Sequence, residues 1–202
     1  MQKNVYLTKH KNVKIIAGKW KGRKISIAKK TLIRPTTSRM RETLFNWINP
    51  ILSNATCLDC FAGSGALGFE SLSRGAKTVT FIDQSLICIT TIMKTMLSFQ
   101  EKNSKVIHSD ILHWLKYSKE VYDIIFIDPP FRQYTIIPKT IQLLEQYNHL
   151  KNQSWIYIET DQHKQSIIEI SKLPKSWSLY RKKNTKSVSY NLYFRKYFVY
   201  NK

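Results

Sequence analysis

The stretch Leu58-Asp59-Cys60-Phe61-Ala62-Gly63-Ser64-Gly65-Ala66-Leu67-Gly68 decides the fold. It reads as the end of a strand, a glycine-rich turn and the start of a helix. Further strands at Val79–Ile82, Lys105–Ile107, Ile124–Ile127 and Trp155–Ile158 alternate with helices. The helices are expected at Leu86–Leu97, Ile111–Leu115, Ile136–Gln146 and near Ile167, the first burying a face of Leu86, Ile89, Met93, Met96 and Leu97. Such alternation gives a mostly parallel sheet with helices on both faces, and ligands of these sheets sit at the carboxyl ends of the strands. The chain ends in two strands between Trp177 and Phe198, around a basic run at Lys182–Lys186 that reads as a solvated turn.

The glycine turn alone would also fit a dinucleotide. Asp59 argues otherwise, because a carboxylate four residues before Gly63 would repel a pyrophosphate. It suits S-adenosylmethionine, which brings an ammonium and a sulfonium and no phosphate. Asp83, twenty residues after Gly63 at the next strand end, can accept hydrogen bonds from ribose hydroxyls. Ser109-Asp110-Ile111, after the third strand, is placed to meet an adenine ring.

The second informative loop is Asp128-Pro129-Pro130-Phe131, directly after the apolar run Ile124–Ile127. Two prolines remove two backbone donors, which leaves carbonyls to act as acceptors. Asp128 adds a carboxylate and Phe131 a flat apolar face. An exocyclic base amine needs two acceptors for its two N–H groups and a stacking surface for its flipped ring. Catalysis of methyl transfer to such an amine would be positioning and electrostatics.

The bulk numbers agree. Within 202 residues, 33 Lys and Arg face 13 Asp and Glu, a formal net charge of +20, which predicts a polyanionic partner, most simply nucleic acid. No stretch has the apolar length of a membrane span or the pattern of a secretory signal, so a cytoplasmic protein is expected. Cys57 and Cys60 are three apart in a strand and point to opposite faces, which disfavours a metal or redox pair. The histidines show no metal-ligand spacing, and no metal is expected.

Before residue 51 the pattern differs. Val13–Ala17 and Arg23–Ala28 read as a hairpin, and a helix follows that presents Met40, Leu44, Trp47 and Ile48 on one face and stops at Asn49-Pro50. Lys19, Lys21, Arg23, Arg34, Arg39 and Arg41, interleaved with Trp20, are candidate RNA contacts. Residues 1–50 are therefore read as an RNA-binding extension and 51–202 as the catalytic domain.

The chain resembles the RsmD family. The resemblance is carried by Ile15–Lys24, Arg34–Trp47, Leu58–Gly68, Asp128–Phe131 and Trp177–Tyr180. It implies a class I, Rossmann-like methyltransferase with a seven-stranded sheet and a C-terminal antiparallel hairpin. It implies methylation of the exocyclic N2 of one guanine in 16S ribosomal RNA, within the assembled small ribosomal subunit. By position, Asp59, Phe61, Gly63, Gly65, Asp83, Asp110 and Ile111 would hold S-adenosylmethionine, and Asp128, Pro129, Pro130 and Phe131 the guanine. Asp83 stands where a Glu is expected and Ile111 where an Ala is usual. A monomer is expected. The alternatives are an adenine-N6 or other amino-methyltransferase, a non-enzymatic RNA-binding assembly factor and an NAD-dependent enzyme.

Overall fold

An apolar run such as Ile124–Ile127 has no polar face to leave in water, so it belongs in the middle of a sheet covered on both sides. It forms the fourth of seven strands, and all four side chains are fully buried. The computed structural model describes residues 12–27, 38–130, 133–162 and 173–196. Arg34, Phe131 and the helix expected near Ile167 lie outside the described residues.

In chain order the elements begin with β1 (Asn12–Lys14), β2 (Lys24–Ser26), α1 (Ser38–Leu52), β3 (Thr56–Asp59), α2 (Ala66–Ser73), β4 (Thr78–Asp83) and α3 (Leu86–Phe99). They continue with β5 (Lys105–His108), α4 (Ile111–Tyr117), β6 (Tyr122–Ile127), α5 (Ile136–Gln146), β7 (Leu150–Asp161), β8 (Trp177–Asn184) and β9 (Val188–Arg195). The main sheet has the order β5-β4-β3-β6-β7-β9-β8. β3 to β7 are parallel, and β9 runs antiparallel between β7 and the edge strand β8. The order reverses at β3 and β6, which opens a crevice at their carboxyl ends.

Alternate residues of each strand feed two cores. Cys57, Ile124, Phe126 and Tyr157 face the side covered by α1 and α2. Leu58, Cys60, Ile125, Ile127, Ile156 and Ile158 face α4 and α5. Cys57 and Cys60 thus go to opposite faces, and both are buried free thiols.

Two local expectations are corrected. α1 continues through Pro50 to Leu52. The missing N–H would have paired with Asn46, which is exposed and can be served by water instead. α3 buries Cys88, Ile89, Ile92, Thr95 and Phe99, while Leu86, Met93 and Leu97 face outward, Leu97 at 79% exposure. Apolar residues lie on more than one side of this helix, and packing against Phe69, Phe81 and Trp20 selects the side that is buried.

The β1–β2 hairpin is joined to the main core. Val13, Ile15, Trp20, Ile25 and Ile27 share one cluster with Phe69, Phe81 and Phe126. The joint is polar. Glu70, in the middle of α2 and 0% exposed, accepts the Ile16 and Ala17 N–H groups at 2.8 and 3.0 Å. It also pairs with Arg74 at 2.8 Å and Arg41 at 3.7 Å. Arg41 in turn donates to the Lys14 carbonyl at 3.0 Å. Burial pulls the Arg41 pKa down, and the Glu70 charge opposes that shift. One turn further, the Lys19 N–H donates to the Ser73 carbonyl and the Trp20 N–H to the Ser73 hydroxyl. The backbones approach so closely there that a Cβ on Gly18, whose φ is +82°, would collide with the Ser73 carbonyl.

Removing one partner of a buried ion pair leaves the other charge uncompensated, at a cost of about 3–5 kcal/mol. Glu70→Ala should therefore lose that much stability in urea denaturation, with faster hydrogen exchange at the Ile16 and Ala17 amides. A loss below about 1 kcal/mol would show that the hairpin is held by its apolar contacts alone.

Candidate active site

Every candidate cofactor residue stands on, or soon after, the carboxyl end of a parallel strand, β3, β4 or β5. β3 delivers Asp59 into the interior, at 2% exposure. The turn that follows is built by its glycines. Gly63 and Gly65 have φ of +53° and +78°. A Cβ on Gly65 would also press on the Phe69 ring at 2.7 Å. Gly68 serves packing: the Phe81 ring of β4 fills the space a side chain would need, so α2 lies close on the sheet.

Asp83 braces this turn from the next strand. One carboxylate oxygen accepts the Gly63 N–H and the other the Ser85 N–H, both at 2.8 Å. A carboxylate has about four lone-pair sites, so two remain for a pair of hydroxyls. Asp110 is exposed at the start of α4 and caps it, accepting the His113 N–H at 3.0 Å. Ile111 is buried in the α4–α5 core, and Phe61 packs partly against the same cluster. The structure thus brings Asp59, Phe61, Gly63, Gly65 and Asp83 to one crevice, with Asp110 at its rim and Ile111 beneath it.

Asp59 is the unusual group. Its Oδ2 is buried without a hydrogen-bond partner. Burial, then the neighbouring Asp128 and Asp83 charges, push its pKa up to about 8, against the pull of the Gly68 and Phe61 N–H groups. A buried carboxylate with one oxygen unsatisfied, next to two others, is a poor site for a phosphate and a good one for a cation. The residues present fit the ammonium and sulfonium of S-adenosylmethionine.

β6 delivers Asp128, half-buried, then the buried Pro129 and the exposed Pro130. The Pro130 carbonyl accepts the Gln133 N–H at 2.8 Å and closes a turn. With the Pro130 carbonyl engaged in that turn, the Pro129 carbonyl is the candidate acceptor for a substrate. Ile127 pairs with Ile158, so Asp128 leaves the sheet beside Glu159. Glu159 is a buried carboxylate that was not among the expected site residues. It accepts the Tyr157 hydroxyl at 3.0 Å, and burial, then Glu159 and Asp128, hold the Tyr157 proton well above the usual range. The signal was present in the sequence, as one acid closing the run Trp155-Ile156-Tyr157-Ile158-Glu159.

The basic candidates separate. Arg41 is 1% exposed and committed to Glu70, so it is not part of the exposed basic face. Trp20 is buried against Phe69 and Phe99 and offers no face to a base. Lys19, Lys21, Arg23 and Arg39 are exposed. The first three stand at the amino end of the parallel strands, where α2 and α3 finish: Lys19 pairs with Glu101 at 3.8 Å, and Arg23 donates to the Ser98 carbonyl and stacks on Phe99. Arg39, in the first turn of α1, stands at the carboxyl end.

Sheet order, acid-lined crevice and the Asp128-Pro129-Pro130 loop together define a class I methyltransferase, the class whose methyl donor is S-adenosylmethionine. A family model described as conserved hypothetical protein 95 matches residues 13–194. Ribosomal RNA small subunit methyltransferase D of Buchnera aphidicola subsp. Acyrthosiphon pisum is 44% identical over 191 residues, covering 94% of this chain and 97% of its own. The Escherichia coli K12 protein of the same name is 39% identical, over 91% and 90% of the two chains. The solved structure of the yhhF protein of Escherichia coli superposes with a TM-score of 0.82 at 38% identity, covering 92% and 98%. The chain belongs to the RsmD family.

The raised Asp59 pKa has a testable sign. The folded protein holds this proton up to about pH 8, whereas an unfolded chain releases it near pH 4. Stability of the ligand-free protein should therefore fall as pH rises through that window and level off above it. Asp59→Asn should remove this slope, raising the thermal midpoint most above pH 7, and should abolish S-adenosylmethionine binding. Calorimetry at pH 7 in two buffers of different ionisation enthalpy should detect proton release on cofactor binding to the wild type. Binding without proton release, and equal pH slopes in both proteins, would remove Asp59 from the cofactor site.

Proposed function

We propose that this protein methylates the exocyclic N2 of one guanine in 16S ribosomal RNA, with the assembled small subunit as substrate and the monomer as the working form in the cytoplasm. The observation that carries the reading is the pairing of two carboxylates at adjacent strand ends, Asp59 buried with one oxygen unsatisfied, Asp128 half-buried beside it. One suits a cationic donor and the other an amine. Family membership supports the substrate, since curated relatives bear the name ribosomal RNA small subunit methyltransferase D.

When bound, S-adenosylmethionine supplies a methyl carbon on a positively charged sulfur leaving group. The protein's part is to present the amine. Asp128 and the Pro129 carbonyl accept its two N–H groups, which turns the nitrogen lone pair out of conjugation and toward the methyl carbon. As the new C–N bond forms and the C–S bond breaks, the amine gains positive charge. The Asp128 carboxylate stabilises that charge, and the surplus proton passes to it or to water. Phe131, next after Pro130 in the sequence, is assigned the stacking of the flipped guanine. Asp59 and Asp83 hold the donor, with Phe61, Asp110 and Ile111 about its adenosine end.

The deciding experiment offers labelled S-adenosylmethionine with undermodified small subunits, naked 16S RNA, DNA or protein, and identifies the product by mass spectrometry. N2-methylguanosine is the expected nucleoside; N6-methyladenosine, or transfer to protein, would overturn the substrate. Asp128→Ala should retain cofactor binding and lose turnover by at least about a hundredfold. Wild-type turnover in that variant would dismiss the assigned role.

A further inference from the structure

The basic run Lys182-Lys183-Asn184-Thr185-Lys186 reads from sequence as a solvated turn, but its place in the fold gives it a different meaning. β8 is the edge of the sheet, and its residues Leu179–Asn184 are exposed. The β8–β9 turn falls at the carboxyl end of the parallel strands, the end that carries Asp59 and Asp128. Glu159 follows Ile158, the partner of Ile127, and pairs with Tyr190, which pairs with Lys183. Lys183 therefore stands in the cross-strand row of Asp128. The strands in that row are β6, β7, β9 and β8, so at ~4.8 Å per step the separation is about 14 Å.

The turn is also ordered. The Thr185 N–H donates to the Val188 carbonyl at 2.8 Å, and the Val188 N–H donates to the Thr185 hydroxyl at 3.0 Å. The Ser189 hydroxyl donates to Asn184 at 2.9 Å, and the Gln162 N–H ties the Ser187 carbonyl to the end of β7. Lys183 reaches the Thr43 hydroxyl of α1 at 3.4 Å, one turn from the exposed Arg39. Lys182 points to the opposite face of the strand from Lys183, and Lys186 sits in the turn itself. No acid occurs between Trp177 and Arg195.

A rigid, acid-free, basic prong beside the reaction loop matches the charge of a nucleic-acid backbone. Lys19, Lys21 and Arg23, by contrast, lie at the far end of α2, whose eight residues alone span about 12 Å. We propose that Lys182, Lys183 and Lys186 of the β8–β9 prong grip the phosphates of the substrate RNA next to the flipped guanine. This rests on RNA being the substrate.

The test is a combined Lys182→Gln, Lys183→Gln, Lys186→Gln variant, with a matching triple Arg variant as the charge-preserving control. Two quantities are measured: the KM for whichever small-subunit substrate the wild type methylates, and the salt dependence of binding to naked 16S RNA. The Gln variant should raise KM by at least about tenfold and lower the log–log salt slope by about 2, at roughly 0.7 per lost contact. Its kcat at saturating RNA, S-adenosylmethionine affinity and thermal midpoint should match the wild type, and the Arg variant should keep the wild-type KM. Wild-type KM and slope in the Gln variant would overturn the proposal. So would a KM defect confined to the assembled particle with naked-RNA binding unchanged, which would point to a protein contact. An Arg variant as weak as the Gln variant would overturn it too. If the wild type transfers no methyl group to any RNA, the proposed function itself fails, a result these variants do not produce.

Discussion

Glu70 is the constraint around which the molecule is arranged. It sits in the middle of α2, the helix whose first turn closes the cofactor loop. The same carboxylate takes two backbone amides from the N-terminal hairpin and two guanidinium groups, one of them from α1. Two segments far apart in sequence, the hairpin and α1, are thereby fixed to the helix that supports Gly63 and Gly65. An apolar contact could supply the adhesion. It could not supply the register, because apolar packing is indifferent to small slips and a hydrogen-bonded charge is not. The hairpin and the glycine turn are thus anchored on one helix.

The distribution of the acids explains how one protein can be strongly basic and still bind a cation. Glu70, Glu101, Glu120, Asp123 and Glu145 are held in ion pairs with lysines and arginines. Asp59, Asp83, Asp128 and Glu159 gather at the carboxyl ends of β3, β4, β6 and β7. Few carboxylates remain to neutralise the surface. The negative charge is concentrated in a cleft while the outer surface stays positive, so donor and polyanion are drawn to different places.

The elements around the cleft were legible because each carries its own local signal. The glycine turn needs positive φ and a missing Cβ, and the sequence shows both as glycine. The central strand must be apolar on both faces, and Ile124–Ile127 is. The errors come where a local pattern admits two tertiary answers. α3 has apolar residues on more than one side, and only its neighbours decide which side is buried. Arg41 and Arg39 look alike in sequence, yet the chain turns one toward Glu70 and the other outward. Trp20 among lysines suggests a stacking platform until Phe69 and Phe99 are seen to enclose it. Lys183 gave no sign of its place, because nothing local in a hairpin reveals which end of a parallel sheet its turn will reach.

With Asp59 assigned to the donor, the cleft would be a charge-selective holder, and this bears on the spent donor. Methyl transfer converts a sulfonium into a neutral thioether. Asp59, Asp83 and Asp128 would then face one positive charge fewer, with their mutual repulsion less well compensated. Under that assignment a used donor would be held by one charge attraction fewer than a fresh one of nearly the same shape, and the two would be told apart by electrostatics where size could not.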